Sequence, residues 1–212
     1  MHIKRFGIRL VRLKEERIEM IRHWRNSPDI SSFMEFRQHI TVEMQRQWFL
    51  SLDTLRDFYF VIEHHSEPAG LIHTSGIDWK NKTGHSGLFV WKKELQGSHV
   101  PVLASLSMVD FFFRFCTLEK LYAKVMQGNP VAITYNSQLG FKAAEKPDSK
   151  KFLQYSLAKD DYFNTTVRLR QMAESIGDGS HEVVIENDLL DDLKEAKALA
   201  SENKGVFVTV VR

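Results

Sequence analysis

The sequence predicts an α+β domain: a mixed, largely antiparallel sheet flanked by helices, followed by a smaller extension. Three observations lead there. Between residues 58 and 91 three β-rich segments follow one another, separated by turn-forming clusters, which is the signature of antiparallel hairpins. From Val102 to Cys116 the chain is too long and too apolar for a strand and carries no breaker, so it forms a helix hydrophobic on nearly every side, and such a helix lies inside a fold. Strands resume at Lys120 and at Phe152, leaving one central crossover helix.

The elements follow in order. Ile8 to Leu13 alternates apolar and basic residues and reads as a strand. From Lys14 the period becomes helical, with Ile18, Met20, Ile21 and Trp24 on one face, until Ser27-Pro28-Asp29 stops it. Thr41 caps a second helix, which buries Trp48 and Phe49. Phe58 to Glu63 is a strand, His64 to Pro68 a turn, and Ala69 to Ile77 its hairpin partner. Asp78 to Gly84 turns into the strand Gly84 to Trp91. After the buried helix, Lys120 to Met126 is a strand. Asn129-Pro130 opens a helix to about Gln138, proline standing where a missing N–H costs nothing. Gly140-Phe141 ends that helix, and Phe152 to Leu157 is the last strand of the main body, residues 1–158.

Composition narrows the function classes. With 212 residues, 43% hydrophobic, the chain fills one domain and an appendage. The net charge of +2, from 29 basic and 27 acidic residues, lacks the basic surplus of a nucleic-acid binder. The start, Met1 to Phe6, has no apolar signal core, and Val102 to Cys116 is broken by Ser105, Ser107, Asp110 and Arg114 and is too short to span a bilayer. A cytoplasmic protein without membrane attachment is expected. Cys116, the one cysteine, makes no internal disulfide, and its place late in the buried helix marks it as core filler. The histidines, among them His64, His65, His73, His85 and His99, have no metal-site spacing and no second cysteine, so no metal is expected.

The chemically suggestive stretch is the loop Leu95 to Pro101. It hands a strand to the N-terminus of the buried helix, where unpaired N–H groups and the positive end of the helix dipole favour an anion. Together with the Arg25-Asn26 pair before Pro28, the Gln96-Gly97 loop, and Asn129-Pro130-Val131-Ala132-Ile133 followed by Leu139-Gly140-Phe141-Lys142, this order of elements resembles the GNAT superfamily of N-acyltransferases. Within it the chain looks most like the branch of ribosomal-protein alanine acetyltransferases and pseudaminic-acid-pathway amino-sugar acetyltransferases. The resemblance covers about residues 6 to 158.

The resemblance implies a sheet whose fourth and fifth strands splay apart, with acetyl-CoA as acyl donor. Its pantetheine arm would pair with the edge Leu88, Phe89 and Val90 as an added strand, and its pyrophosphate would rest on Gln96, Gly97, Ser98, His99, Val100 and Val102. His99 and Pro101 depart from the family pattern of small residues: proline removes an amide donor, and a histidine can return a hydrogen bond. Acyl transfer to an ammonium needs a base, and His85 stands where many relatives carry a glutamate. The N–H of Leu88 or Phe89 would stabilise the oxyanion. Relatives place a tyrosine seven residues after the asparagine; here that position is Asn136, with Tyr135 beside it, and a helix turns the two about 100° apart. Asn129 would cap its helix and touch the coenzyme arm. The acceptor, a small-molecule amine, would meet Arg25, Asn26, Met34, Glu35, Phe36 and Arg37, and an arginine there favours a nucleotide-linked amino sugar over a protein N-terminus. A non-catalytic module of this shape and a protein N-terminal acetyltransferase are the alternatives.

The extension, residues 159–212, opens with a helix from Asp160 to about Ser175 and a turn at Gly177 to Ser180. A strand His181 to Glu186, a helix Asp188 to Asn203 and a strand Gly205 to Arg212 follow, the two strands compatible with a parallel crossover. Too small to bury its own core, the unit must add to the main sheet, a partner chain or a second subunit, with a homodimer the preferred use.

Overall fold

Which face a residue serves is set by strand alternation, and two separate apolar sets result. The computed structural model describes residues 1–144, 151–177, 181–186 and 207–211. Among them one sheet of ten strands runs in the order β10-β9-β1-β2-β3-β4-β5-β6-β8-β7. Its strands are β1 (His2–Arg5), β2 (Ile8–Arg12), β3 (Phe58–His64), β4 (Glu67–Asp78), β5 (Thr83–Val90), β6 (Lys120–Met126), β7 (Lys142–Ala143), β8 (Phe152–Ala158), β9 (His181–Glu186) and β10 (Phe207–Val211). The pairs β5–β6 and β9–β10 are parallel and all others antiparallel.

The helices are α1 (Ile18–Asn26), α2 (Pro28–Ser31), α3 (Val42–Leu50), α4 (Lys93–Gln96), α5 (Val100–Asp110), α6 (Pro130–Gln138), α7 (Lys159–Thr165) and α8 (Val167–Ile176). On one face α5 and the π-helical turn that prolongs it, Phe111–Phe115, pack with Ile3, Leu10, Phe60, Ile72 and Val90. Val100, Pro101 and Leu103 to Asp110 are all buried, as the apolar run requires. On the other face α1 and α3 cover Leu13, Val61, Leu71 and Trp91, with Ile21 as the buried residue of α1. Each aliphatic side chain buried this way contributes roughly 1.5–3 kcal/mol.

Most elements form where the pattern puts them. Thr41 Oγ1 accepts a hydrogen bond from the Met44 amide at 3.2 Å, and Asn129 Oδ1 from that of Ala132 at 3.0 Å, so both caps form as expected. Gly140 ends α6 with φ +92°, a left-handed conformation that suits glycine. Four details differ. The first strand is a hairpin, because Phe6 and Gly7 take φ of 55° and 74°, and β1, four residues with one fully buried, carries no alternation to read. Trp48 and Phe49 are half-buried while Gln45 holds the buried position of α3. The 64–68 turn shrinks to His65 and Ser66, both left-handed, so β4 starts at Glu67. The helix expected from Asp160 to Ser175 is two, divided at Thr166, whose hydroxyl donates to the Tyr162 carbonyl at 2.6 Å.

In the extension β9 adds antiparallel to β1, and β10 parallel to β9, so its strands complete the chain's own sheet. The helix expected at 188–203 and most of the turn at 177–180 lie outside the described residues. The extension is bound to α5 by a buried carboxylate. Asp110, 1% exposed, accepts from Arg170 at 2.5 and 2.6 Å, from the Tyr162 hydroxyl at 2.8 Å, and from Arg5. Burial pushes this carboxyl up, but the Arg170 and Arg5 guanidinium groups outweigh it and hold the group below its usual range. Among the described residues no helix is long and apolar enough to cross a membrane.

Candidate active site

Strand β5 is paired along its whole length with β4 but touches β6 only where Thr83, Gly84 and His85 meet Lys120, Leu121 and Tyr122. Beyond His85 the two strands diverge. The Trp91 amide donates to the Ala69 carbonyl at 2.9 Å, which fixes the phase of the β4 ladder. Antiparallel alternation then spends the backbone groups of Phe89 on β4 and turns those of Leu88, and the N–H of Val90, into the gap. Of the two amides considered for an oxyanion, Leu88 is the one that faces the opening. Gln96 closes the far end, its Nε2 donating to the Val90 carbonyl at 2.9 Å.

The loop at that end follows from α4. Ser98 Oγ donates to the Leu95 carbonyl at 2.8 Å and accepts from the Val100 amide at 3.1 Å. The amides of Ser98, on the Leu95 carbonyl at 3.1 Å, and of Val100 are therefore satisfied internally, and Pro101, second residue of α5, has none. The amides of His99 and Val102 have no partner among the described residues. A methyl on Gly97 would meet nothing within 4 Å, so the space over the loop is open. Free amides, a helix N-terminus and open space fit a phosphate-bearing ligand.

His85 is exposed at the vertex of the gap, its ring 5.6 Å from that of Tyr122. Register sets it beside Ser75 on β4, on the sheet face covered by α1 and α3. There the sequence reading missed a cluster. His73 Nδ1 lies 3.2 Å from Ser75 Oγ, its ring stacks on Tyr59 at 4.8 Å, and Trp48 meets Tyr59 edge-on at 5.1 Å. Burial first, then the neighbouring His85, lowers the pKa of His73 to about 4, so it is a neutral imidazole near neutrality. Gly87 leaves room for it, since a Cβ there would stand 2.6 Å from His73 Nε2. Above this cluster Arg25 is half-buried, and its Nη1 is buried with no hydrogen-bond partner. Burial lowers its pKa, opposed by Tyr59, and no carboxylate compensates the guanidinium. The cross-strand register that assembles these residues passes an irregularity between Ser75 and Asp78, which counting along the chain does not reveal.

The residues expected to meet the acceptor split into two groups. Asn26 is spent on the chain itself: its Nδ2 donates to the Ile40 carbonyl at 2.9 Å and its Oδ1 accepts from the Ile40 amide at 2.8 Å. The loop it anchors reaches across to β6, where Glu35 Oε1 meets Lys124 Nζ at 2.6 Å and Arg37 Nη2 lies 3.3 Å from Met126 Sδ. Arg37 Nε also donates to the Met34 carbonyl at 3.0 Å. On α6, the Tyr135 hydroxyl donates to the Pro101 carbonyl at 2.9 Å and lies 2.5 Å from Ser105 Oγ, while burial pushes the phenol pKa up. Its proton is engaged in binding α6 to α5. Asn136 Nδ2 donates to the Ala132 carbonyl at 2.7 Å and retains one further N–H.

A separate open groove of about 590 Å³ lies between α1 and the end of β5, floored by the stacked rings of Trp24 and Trp91 and remote from His85. Among the described residues no group of three or more His, Cys, Asp or Glu is placed to hold a metal.

The family model described as an acetyltransferase (GNAT) domain matches residues 5–142. No curated protein sequence matches the chain. Similar solved structures include spermidine N-acetyltransferase from Vibrio cholerae in complex with CoA and spermine, 16% identical, covering 74% of this chain and 99% of its own, with a TM-score of 0.66. A domain from Methanocaldococcus jannaschii DSM 2661 is 19% identical over 74% of this chain and 99% of its own, with a TM-score of 0.64. A ribosomal alpha-N-protein acetyltransferase in complex with coenzyme A is 14% identical over 73% of this chain and 96% of its own, with a TM-score of 0.65. All three share the mixed sheet and flanking helices.

Proposed function

The chain belongs to the GNAT acetyltransferase family, and from that premise we propose that it moves an acetyl group from acetyl-CoA to the primary amine of a small molecule bearing an anionic group, such as a nucleotide-linked amino sugar. The observation that carries this reading is the gap beyond His85, where β5 keeps an unpaired edge that leads to the free amides of His99 and Val102. Acetyl-CoA, when bound, supplies the acetyl thioester.

The chain's residues do the rest. The Leu88 carbonyl and the Val90 N–H pair with the amide-bearing arm as with an added strand, and the amides of His99 and Val102 hold the diphosphate. His85 takes a proton from the incoming ammonium, directly or through water. The Leu88 N–H, fixed by the sheet, donates to the acyl oxygen as charge develops there. Asn136 offers its remaining N–H to the departing sulfur, while Tyr135 supports the wall. Arg25 supplies the reason to prefer an anionic acceptor. A half-buried guanidinium whose Nη1 has no partner repels a polyamine and gains a charge-assisted bond from a carboxylate or phosphate. Spermine and spermidine, named for one structural neighbour, are polycations that such a group disfavours.

Thermal unfolding with added coenzyme A tests the reading. A ligand of the native state at a hundredfold excess over its dissociation constant stabilises by about 2.7 kcal/mol, or about 5–10 °C in a chain of this size. A midpoint unmoved at millimolar coenzyme would leave a GNAT-shaped scaffold without a donor.

A further inference from the structure

Three imidazoles gather at the Val90 end of β5, far from His85. His64 and His65 close the β3–β4 hairpin with rings 4.0 Å apart, and the ring of His99, from the loop before α5, stands 6.2 Å from that of His64. Burial first, then His65, His99 and the Lys92 ammonium, holds His64 below the usual imidazole range. Every charged neighbour that bears on His64 is thus cationic. The carboxylates nearby serve elsewhere. Glu63 is taken by Arg17 at 2.7 Å and Arg9 at 3.4 Å, and Asp29 by Lys93 at 2.8 Å. Glu67, the register partner of His64, and Glu94 on α4 are exposed and make no ion pair with the imidazoles. From β2 the residue opposite His64 is Ile8, and the first residue of α5, next to His99, is Val100, both buried and apolar.

We propose that His64, His65, His99 and Lys92 form a titratable clamp on the diphosphate of the acyl donor, so that donor affinity rises as pH falls. Cationic neighbours this close to His64 resist its protonation until an anion arrives, and an arriving anion makes that protonation favourable and gains charge-assisted hydrogen bonds. Imidazole is the side chain that changes charge in the physiological range. The clamp offsets the donor lost at Pro101 and the Val100 amide taken by Ser98. It rests on the acyltransferase reading and adds to it residues of the hairpin, outside the loop itself.

Calorimetric titration of the full chain with 3′-dephospho-coenzyme A, whose diphosphate keeps its charge across the range, tests it at about pH 6 and about pH 8. Binding is expected to be about fivefold tighter or more at the lower pH. Pantetheine, which lacks the diphosphate, should gain nothing. In the double variant His64→Asn, His65→Asn the affinity should be the same at both pH values; asparagine tolerates the left-handed turn at 65. Equal affinity at both pH values, the same gain with pantetheine, or a gain that survives in the double variant overturns the clamp and leaves the transferase standing. Binding at neither pH overturns both.

Discussion

At the vertex of the gap stands His85, the base in the proposed reaction. An amine acceptor is mostly ammonium near neutrality, so loss of the base is felt most there and least at high pH, where free amine is abundant. His85→Ala should lower kcat/KM by about a hundredfold or more near neutrality, with a gap that narrows as pH rises. A pH–rate profile shared by variant and native protein would assign proton removal elsewhere. His73 is no substitute: with its pKa lowered to about 4 it accepts protons poorly, and its neighbours Ser75 and Tyr59 fix it as part of the wall. His85 was singled out by the family resemblance, at the place where relatives carry a glutamate, whereas His73, Tyr59 and Ser75 gained meaning only through register across three strands.

Among the elements, the loop between α2 and α3 is the one that meets the acceptor in the proposed reaction. It is pinned at its base by Asn26 and Arg22 on the Ile40 carbonyl and at its far side by Glu35 on Lys124. Glu35→Gln weakens only the far attachment, an exposed ion pair worth about 0.4–1 kcal/mol. The acceptor KM should rise about two- to fivefold, with the unfolding midpoint nearly unchanged; steady-state kinetics against each substrate checks this, and an unaltered acceptor KM would free the loop of a role. Helices with caps and strands with alternation were readable, as Thr41, Asn129 and β6 attest. The four-residue β1, the break at Thr166 and the docking of Glu35 on Lys124 were not: β1 is too short to show a period, the break rests on one side-chain bond from Thr166 to the Tyr162 carbonyl, and Glu35 meets a residue far along the chain.

Across the whole molecule, Asp110 joins three parts of the chain: α5, which carries the donor loop at its other end, β1 through Arg5, and the extension through Tyr162 and Arg170. Removing the carboxylate leaves two guanidinium groups without their counter-charge, a loss of about 3–5 kcal/mol for Asp110→Asn. Because the folded carboxyl titrates below its unfolded value, its contribution is present above the usual aspartate range and is lost as pH falls through the folded value. Urea unfolding of native and Asp110→Asn proteins should therefore differ most near neutrality and converge in acid. A constant difference at all pH values would mean that packing, not charge, is lost. That the extension joins the main sheet was one of three placements its size allowed; nothing in its own residues selected β1 as the neighbour.

The alternation along β5 turns its free edge into a ruler. Only every second peptide group is readable from the gap, so Leu88 and Val90 present their N–H groups about 6.6–6.8 Å apart, and beyond them Gln96 has already claimed the next carbonyl. A guest whose acyl oxygen and nearest amide oxygen lie at that interval engages both marks. One spaced a bond or two differently engages a single mark and forfeits the other, whatever it carries at its tip.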